Sequence, residues 1–163
     1  MAMSRLVGAE FGALFRSFEH TAFRLETLDR YHSPNETTAW FRDWLSTIRE
    51  ATAAGRRFTR VRVVGLPLSD YSRSGMFCSR YTNAAGEDIR YLERDRAESA
   101  GLPRRDYWLF DSRTLITMHF DDQENFLGGE VVDDPAEIVR YNYWRDAASH
   151  LAVRRDDFAA SFL

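Results

Sequence analysis

His119 stands among carboxylates, and this is the one cluster in the chain with the makings of catalysis. In Thr114-Leu-Ile-Thr-Met-His119-Phe-Asp121-Asp122, residues 117, 119 and 121 alternate, so an extended strand would place them on one face. Asp111 ends the preceding apolar run Tyr107-Trp-Leu-Phe110 and could join them across a hairpin turning at Ser112-Arg113. An imidazole beside a carboxylate can take up and deliver protons near neutral pH. The catalytic expectation is therefore His119 with Asp111 or Asp121, in a hydrolase or toxin-like effector. The competing expectation is a half-exposed strand histidine near an acidic turn. A metal centre needs three or four converging ligands. Asp121-Asp122-Gln-Glu124 lacks the glycine and spacing of a calcium loop, so neither metal nor cofactor is predicted.

A second constellation could bind instead of react. Arg62 lies in the apolar strand pattern Phe58-Thr-Arg-Val-Arg-Val-Val64, and Asp70, Tyr71 and Arg73 open a segment of helical spacing. Ligands of open α/β sheets sit beyond the carboxyl ends of strands, where helix N-termini offer N–H donors. Arg62 and Arg73 are expected to hold a small anion there, with Tyr71 stacking on a planar group; a salt bridge and a packed tyrosine are the structural alternative. Glu19-His20 is a third pair, but sequence neighbours do not face one another in regular structure.

The elements that must position these residues can be read from periodicity. Residues 9–19 carry Phe11, Leu14, Phe15 and Phe18 on one helical face, and Thr21–Leu28 alternates as a half-buried strand, with Phe23 and Leu25 opposite Arg24 and Glu26. Ser33-Pro34-Asn35-Glu36 forms a capping box before a helix whose stripe is Trp40, Phe41, Trp44, Leu45 and Ile48, ending at Gly55. A strand over 58–64, a weak helix from Ser69 or Asp70 to about Tyr81, and a strand over 87–92 follow. Residues 93–105 are predicted to be a charged surface loop. Strands near 107–111, 114–120 and 126–132 then form a meander, with Gly128-Gly129 as a bend or bulge. Asp134-Pro135-Ala-Glu137 caps a closing helix, and residues after Arg154 pack or fray. The expected fold is a single α/β domain over 1–163, with a mixed central sheet of about six strands covered by helices.

Composition removes several functions. All 22 basic residues are arginine, which excludes lysine-dependent phosphate loops and Schiff-base chemistry. The net charge of −3 argues against direct nucleic-acid binding. The single Cys78 cannot form an internal disulfide and is expected to be buried. No apolar run approaches the ~20 residues of a membrane span, and the start lacks the apolar core of a signal peptide. A cytoplasmic protein without a membrane partner is expected, with a homo-oligomer left open.

Glu19–Glu26, Arg60–Val64, Pro67–Tyr71, Gly86–Arg90, Trp108–Asp111, His119–Asp122 and Asp134-Pro135 together resemble an actinobacterial domain family of unknown function. The likeness runs over nearly the whole chain. It implies a regulatory or sensor module with a helix-turn-helix regulator as partner, because members are often encoded beside such proteins. It carries no catalytic residues. Such sequences have a glutamate near position 75, where this chain has Gly75. From residue 58 onward the order of elements also resembles one half of a phospholipase-D-like domain, whose catalysis needs a His-x-Lys motif that a chain without lysine cannot supply.

Overall fold

The computed structural model describes residues 5–32 and 38–162. Element order is β1 (Arg5–Leu6), α1 (Gly8–Ser17), β2 (Thr21–Glu26), α2 (Thr38–Ala53), β3 (Arg57–Val64), α3 (Asp70–Ala85), β4 (Asp88–Glu93), α4 (Arg94–Ser99), β5 (Tyr107–Phe110), β6 (Thr114–Phe120), β7 (Phe126–Val132), α5 (Pro135–Leu151), β8 (Val153–Arg154) and α6 (Arg155–Ala159). The strands form one sheet in the order β1-β7-β6-β5-β2-β3-β4-β8. Strands β2, β3 and β4 run parallel, as helical crossovers require, and every other pairing between these strands is antiparallel. The α/β class and the mixed sheet agree with expectation. The count of about six strands does not: the sheet has eight, because the two-residue strands β1 and β8 pair along its outer edges. Strands that short carry no periodicity to read.

Packing divides by sheet face. On the first face Ala22, Phe58, Trp108, Phe110, Ile116 and Met118 meet Phe11, Phe15 and Phe18 of the α1 region and Trp44, Leu45, Ile48 and Ala51 of α2. On the second face Phe23, Leu25, Val61, Val63, Leu92, Tyr107, Leu109 and Leu115 meet Ala97 of α4 and Ile138, Tyr141, Trp144, Ala147 and Ala148 of α5. Each fully buried large side chain is worth roughly 1.5–3 kcal/mol against exposure. Val64, Leu68, Met76, Ile89, Tyr91 and Phe158 form a smaller cluster that brings α6 against β4 and α3, with the Tyr91 and Phe158 rings stacked at 5.3 Å.

Local signals behave as their chemistry dictates. Ser69 caps α3 by accepting from Ser72 N, and Asp134 caps α5 by accepting from Ala136 N, with Pro135 in the first turn. Helix α3 outruns its expected end and stops at Gly86, whose φ of 120° only glycine tolerates. The register shift falls between His119 and Phe120, opposite Gly128 and Phe126, so the unpaired residue is Leu127, one position before the expected Gly128-Gly129 irregularity. The capping box at Ser33–Glu36 lies outside the described residues. The loop expected over 93–105 holds α4 instead, which buries Ala97 against the sheet, so its charged composition marks one face of a short helix. Of the two expectations for the segment after Arg154, packing holds: Arg155–Ala159 form α6, with Phe158 and Ala159 buried. Cys78 is exposed rather than buried, because α3 buries only the narrow seam Ser72, Met76, Ser79, Thr82 and Ala85.

Candidate functional site

The alternation in β2 and β3 gives both strands a charged face, and the sheet buries it. Arg24 and Glu26 of β2 and Arg62 of β3 are each at most 9 % exposed, and Glu87 and Asp106 are 3 % exposed. Both strands lie in the sheet interior, so a polar face has no water to meet. Burying single charges there would cost several kcal/mol apiece, so each is matched. Arg60 bridges Glu26 and Glu87, the latter at 2.6 Å, and Arg62 Nε stands 3.7 Å from Glu26. Asp106 accepts from Arg24 Nη2 at 2.9 Å, from Thr27 N and Oγ1 at 2.8 and 2.7 Å, and from the Tyr31 hydroxyl at 2.5 Å. Trp108 floors the cluster, with Arg24 and Arg60 at 5.7 and 5.9 Å from its ring. Tyr31 closes it, its ring 5.1 Å from the Arg62 guanidinium and 5.9 Å from that of Arg24.

The electrostatics follow from this packing. Burial raises the Glu26 carboxyl, but Arg60, Arg24 and Arg62 outweigh it and bring the pKa down to about 2. At Glu87 burial wins over Arg60, and the pKa rises. Burial, Asp106 and Glu26 hold Tyr31 well above the usual phenol range, so its hydroxyl stays a donor.

Arg24 is the least satisfied member. Its Nη1 faces the Met118 thioether, a weak acceptor, and its buried Nε has no hydrogen-bond partner among the described residues.

The residues expected to be catalytic do not converge. His119 Nε2 lies 3.2 Å from Glu130 Oε2, and Nδ1 lies 3.1 Å from Arg105 Nη1. Burial and Arg105 push its pKa below the usual value, against Glu130. Asp111 precedes β6 while His119 lies near its far end, so roughly 16 Å of strand separates them. Its carboxylate accepts from the backbone N–H groups of Glu19, His20 and Thr21 at 2.9, 2.6 and 3.0 Å. Burial opposes these bonds, but they lower its pKa. Asp121 accepts from Gln123 N and Asn125 N, both at 2.9 Å, and shapes the β6–β7 turn. Glu19 and His20 are exposed and 3.9 Å apart.

The expected ligand set is likewise divided. Asp70, Tyr71 and Arg73 share the first turn of α3, where Arg73 Nη1 donates to Phe162 O at 2.7 Å. Arg62 is turned to Leu28 O, Asp29 O and Glu26, which take up its donors. Among the described residues, no group of three His, Cys, Asp or Glu is placed to hold a metal ion.

Sequence reasoning missed Arg24, Glu26, Tyr31, Glu87 and Asp106. The available signal was the pairing of Arg24-x-Glu26 with Arg60-x-Arg62 on strands destined for the sheet centre. Their register sets Arg24 beside Arg60 and Glu26 beside Arg62.

The chain matches the domain of unknown function DUF6879 over residues 9–160. It belongs to this family. The matched span runs from the first turn of α1 to the end of α6 and holds the buried ionic cluster together with His119, Asp111, Asp121, Arg62, Asp70, Tyr71 and Arg73. Among curated proteins none matches this DUF6879 chain. No described helix is long and apolar enough to cross a membrane.

Proposed function

We propose that this DUF6879 domain is a non-enzymatic regulatory or sensor module that acts by binding a partner protein. The outer face of α3 carries the proposal. Phe77 and Tyr81 are 47 % and 44 % exposed, and Arg80 lies over both rings at 4.0 and 4.6 Å, its Nη2 donating to the Tyr81 hydroxyl. No carboxylate pairs with Arg80 among the described residues. Exposed aromatic rings around an arginine are the composition of binding hot spots. The partner suggested by the family resemblance is a helix-turn-helix regulator encoded nearby, which supplies the DNA contacts that an acidic chain does not favour.

Binding measured against that regulator tests the reading. Arg80→Glu and Phe77→Ala should each weaken it at least tenfold, and Tyr71→Ala, on the same helix, should weaken it less. Unchanged affinity in the first two would remove α3 as the docking face.

One observation favours a second reading. His119 and Glu130 make a histidine–carboxylate pair, which a hydrolase could use in place of His119 with Asp111 or Asp121. It weighs less, because Arg105 holds the other imidazole nitrogen. The expected small anion at Arg62, Asp70, Tyr71 and Arg73 loses support for the same kind of reason, since Arg62 is spent on the protein's own carbonyls.

A further inference from the structure

Tyr31 fills a place at the carboxyl ends of β2 and β3, where open α/β sheets bind ligands. The segment from Thr27 to Tyr31 crosses that end, fastened by Asp106 to Thr27, by Arg62 to the carbonyls of Leu28 and Asp29, and by Arg94 to Thr27 O and Asp29. The Tyr31 ring meets Phe120 edge to face at 5.6 Å and stands 5.1 Å from the guanidinium of Arg62. Its hydroxyl reaches Asp106 Oδ2, and the residue is half-buried. Beneath it Arg24, nine-tenths buried, keeps one donor with no acceptor and a second against a thioether. A buried N–H left unmatched costs about 1–3 kcal/mol, and the tyrosine does not relieve it.

We propose that the Tyr31 position is a ligand slot for a small, neutral, planar amide, and that Tyr31 is its built-in occupant. The chemistry of the slot selects that class. A flat ring replaces the tyrosine between Phe120 and Arg62. A carbonyl oxygen accepts from Arg24 Nε, and an adjacent N–H donates to Asp106 in place of the phenol. A full negative charge fits poorly, because the Asp106 and Glu26 carboxylates already flank the same arginines. Cyclic imides and pyrimidinediones present the required carbonyl beside an N–H. The inference rests on the regulatory reading only in giving the ligand a signalling role.

Uracil is the probe, titrated into the full chain by calorimetry while the Arg24 Nε–H resonance is followed by NMR. Wild type should bind weakly with a shift of that resonance. Tyr31→Ala should bind at least tenfold more tightly, because no occupant has to leave. 1,3-Dimethyluracil, which has no N–H for Asp106, and benzoate, which brings a charge, should not saturate. Tyr31→Phe keeps the ring and loses the hydroxyl's two hydrogen bonds, the one it donates to Asp106 and the one it accepts from Leu28 N. It should bind uracil several-fold more tightly than wild type, which keeps the test open if Tyr31→Ala does not fold. The proposal is overturned by unchanged uracil affinity in a folded Tyr31 variant, by equal binding of the dimethyl compound, or by tighter binding of benzoate. Loss of regulator binding with uracil binding intact would instead remove the partner reading alone.

Discussion

At the scale of single residues, Glu26 is the group whose charge the fold most depends on. Its pKa of about 2 lies below the ordinary 4.5, so the folded state favours the carboxylate. The resulting stabilisation is complete above the unfolded value and is lost as pH falls through the folded one. It amounts to roughly 3 kcal/mol at neutral pH. Glu87 acts in the opposite sense, since its raised pKa makes the folded state lose stability as pH rises past the ordinary glutamate range. Thermal melts from pH 6 to pH 2.5 should show wild type losing stability steadily. Glu26→Gln should start lower at pH 6 and fall less. A Glu26→Gln melt as pH-dependent as wild type would contradict the role given to this carboxylate. His119 is a smaller contributor: burial and Arg105 favour its neutral form, so it also costs stability as the solution becomes acid.

At the scale of elements, the α3–β4 junction depends on a contact that no side chain announces. A Cβ on Gly86 would fall on the Thr52 side chain of α2, and the residue's φ of 120° is strained for any other amino acid. Gly86→Ala should lower stability by roughly 2–4 kcal/mol. Adding Thr52→Ala should return part of that loss, because it removes the collision and leaves the strain. A Gly86→Ala protein that melts with wild type would refute the close approach. Elements with regular period were legible in sequence: the six long strands, the α5 cap at Asp134-Pro135 and the α2 stripe of Trp44, Leu45 and Ile48 all follow from spacing, whereas Trp40 of that stripe is exposed. Strands β1 and β8 were not, because two residues hold no period. Helix α4 was hidden by its charge, since Ala97 alone buries strongly against the sheet. The site was less legible than the fold. Arg24 and Glu26 look like the wet side of a half-buried strand until β3 and Asp106 are known to surround them. The bond from Tyr31 to Asp106 spans 75 residues. His119 stood out in the sequence beside Asp111 and Asp121, but its partners Glu130 and Arg105 come from the next strand and an upstream loop rather than from its own turn.

At the scale of the molecule, the sheet has a stable centre and weak margins. Strands β2, β3 and β5 are buried on both faces, whereas β1 and β8 hold the edges with two residues each. Amide hydrogen exchange should therefore be slowest in Phe23–Leu25, Val61–Val63 and Trp108–Leu109, approaching the global unfolding free energy, and orders of magnitude faster in β1 and β8. Comparable protection at centre and edge would mean that the short strands are more firmly paired than their length allows.

Strand β2 has one further consequence, for the order in which the chain can be completed. It is the second strand made, yet one flank waits for β3 and the other for β5, which begins about 80 residues later. During synthesis at ~5–20 residues per second, the growing chain carries an open, arginine-bearing edge for several seconds before Trp108 and Asp106 emerge to close it. A strand exposing charge cannot easily pair with a neighbouring nascent copy. The same Arg24 and Glu26 that are costly to bury in the finished sheet thus protect its unfinished state from premature association.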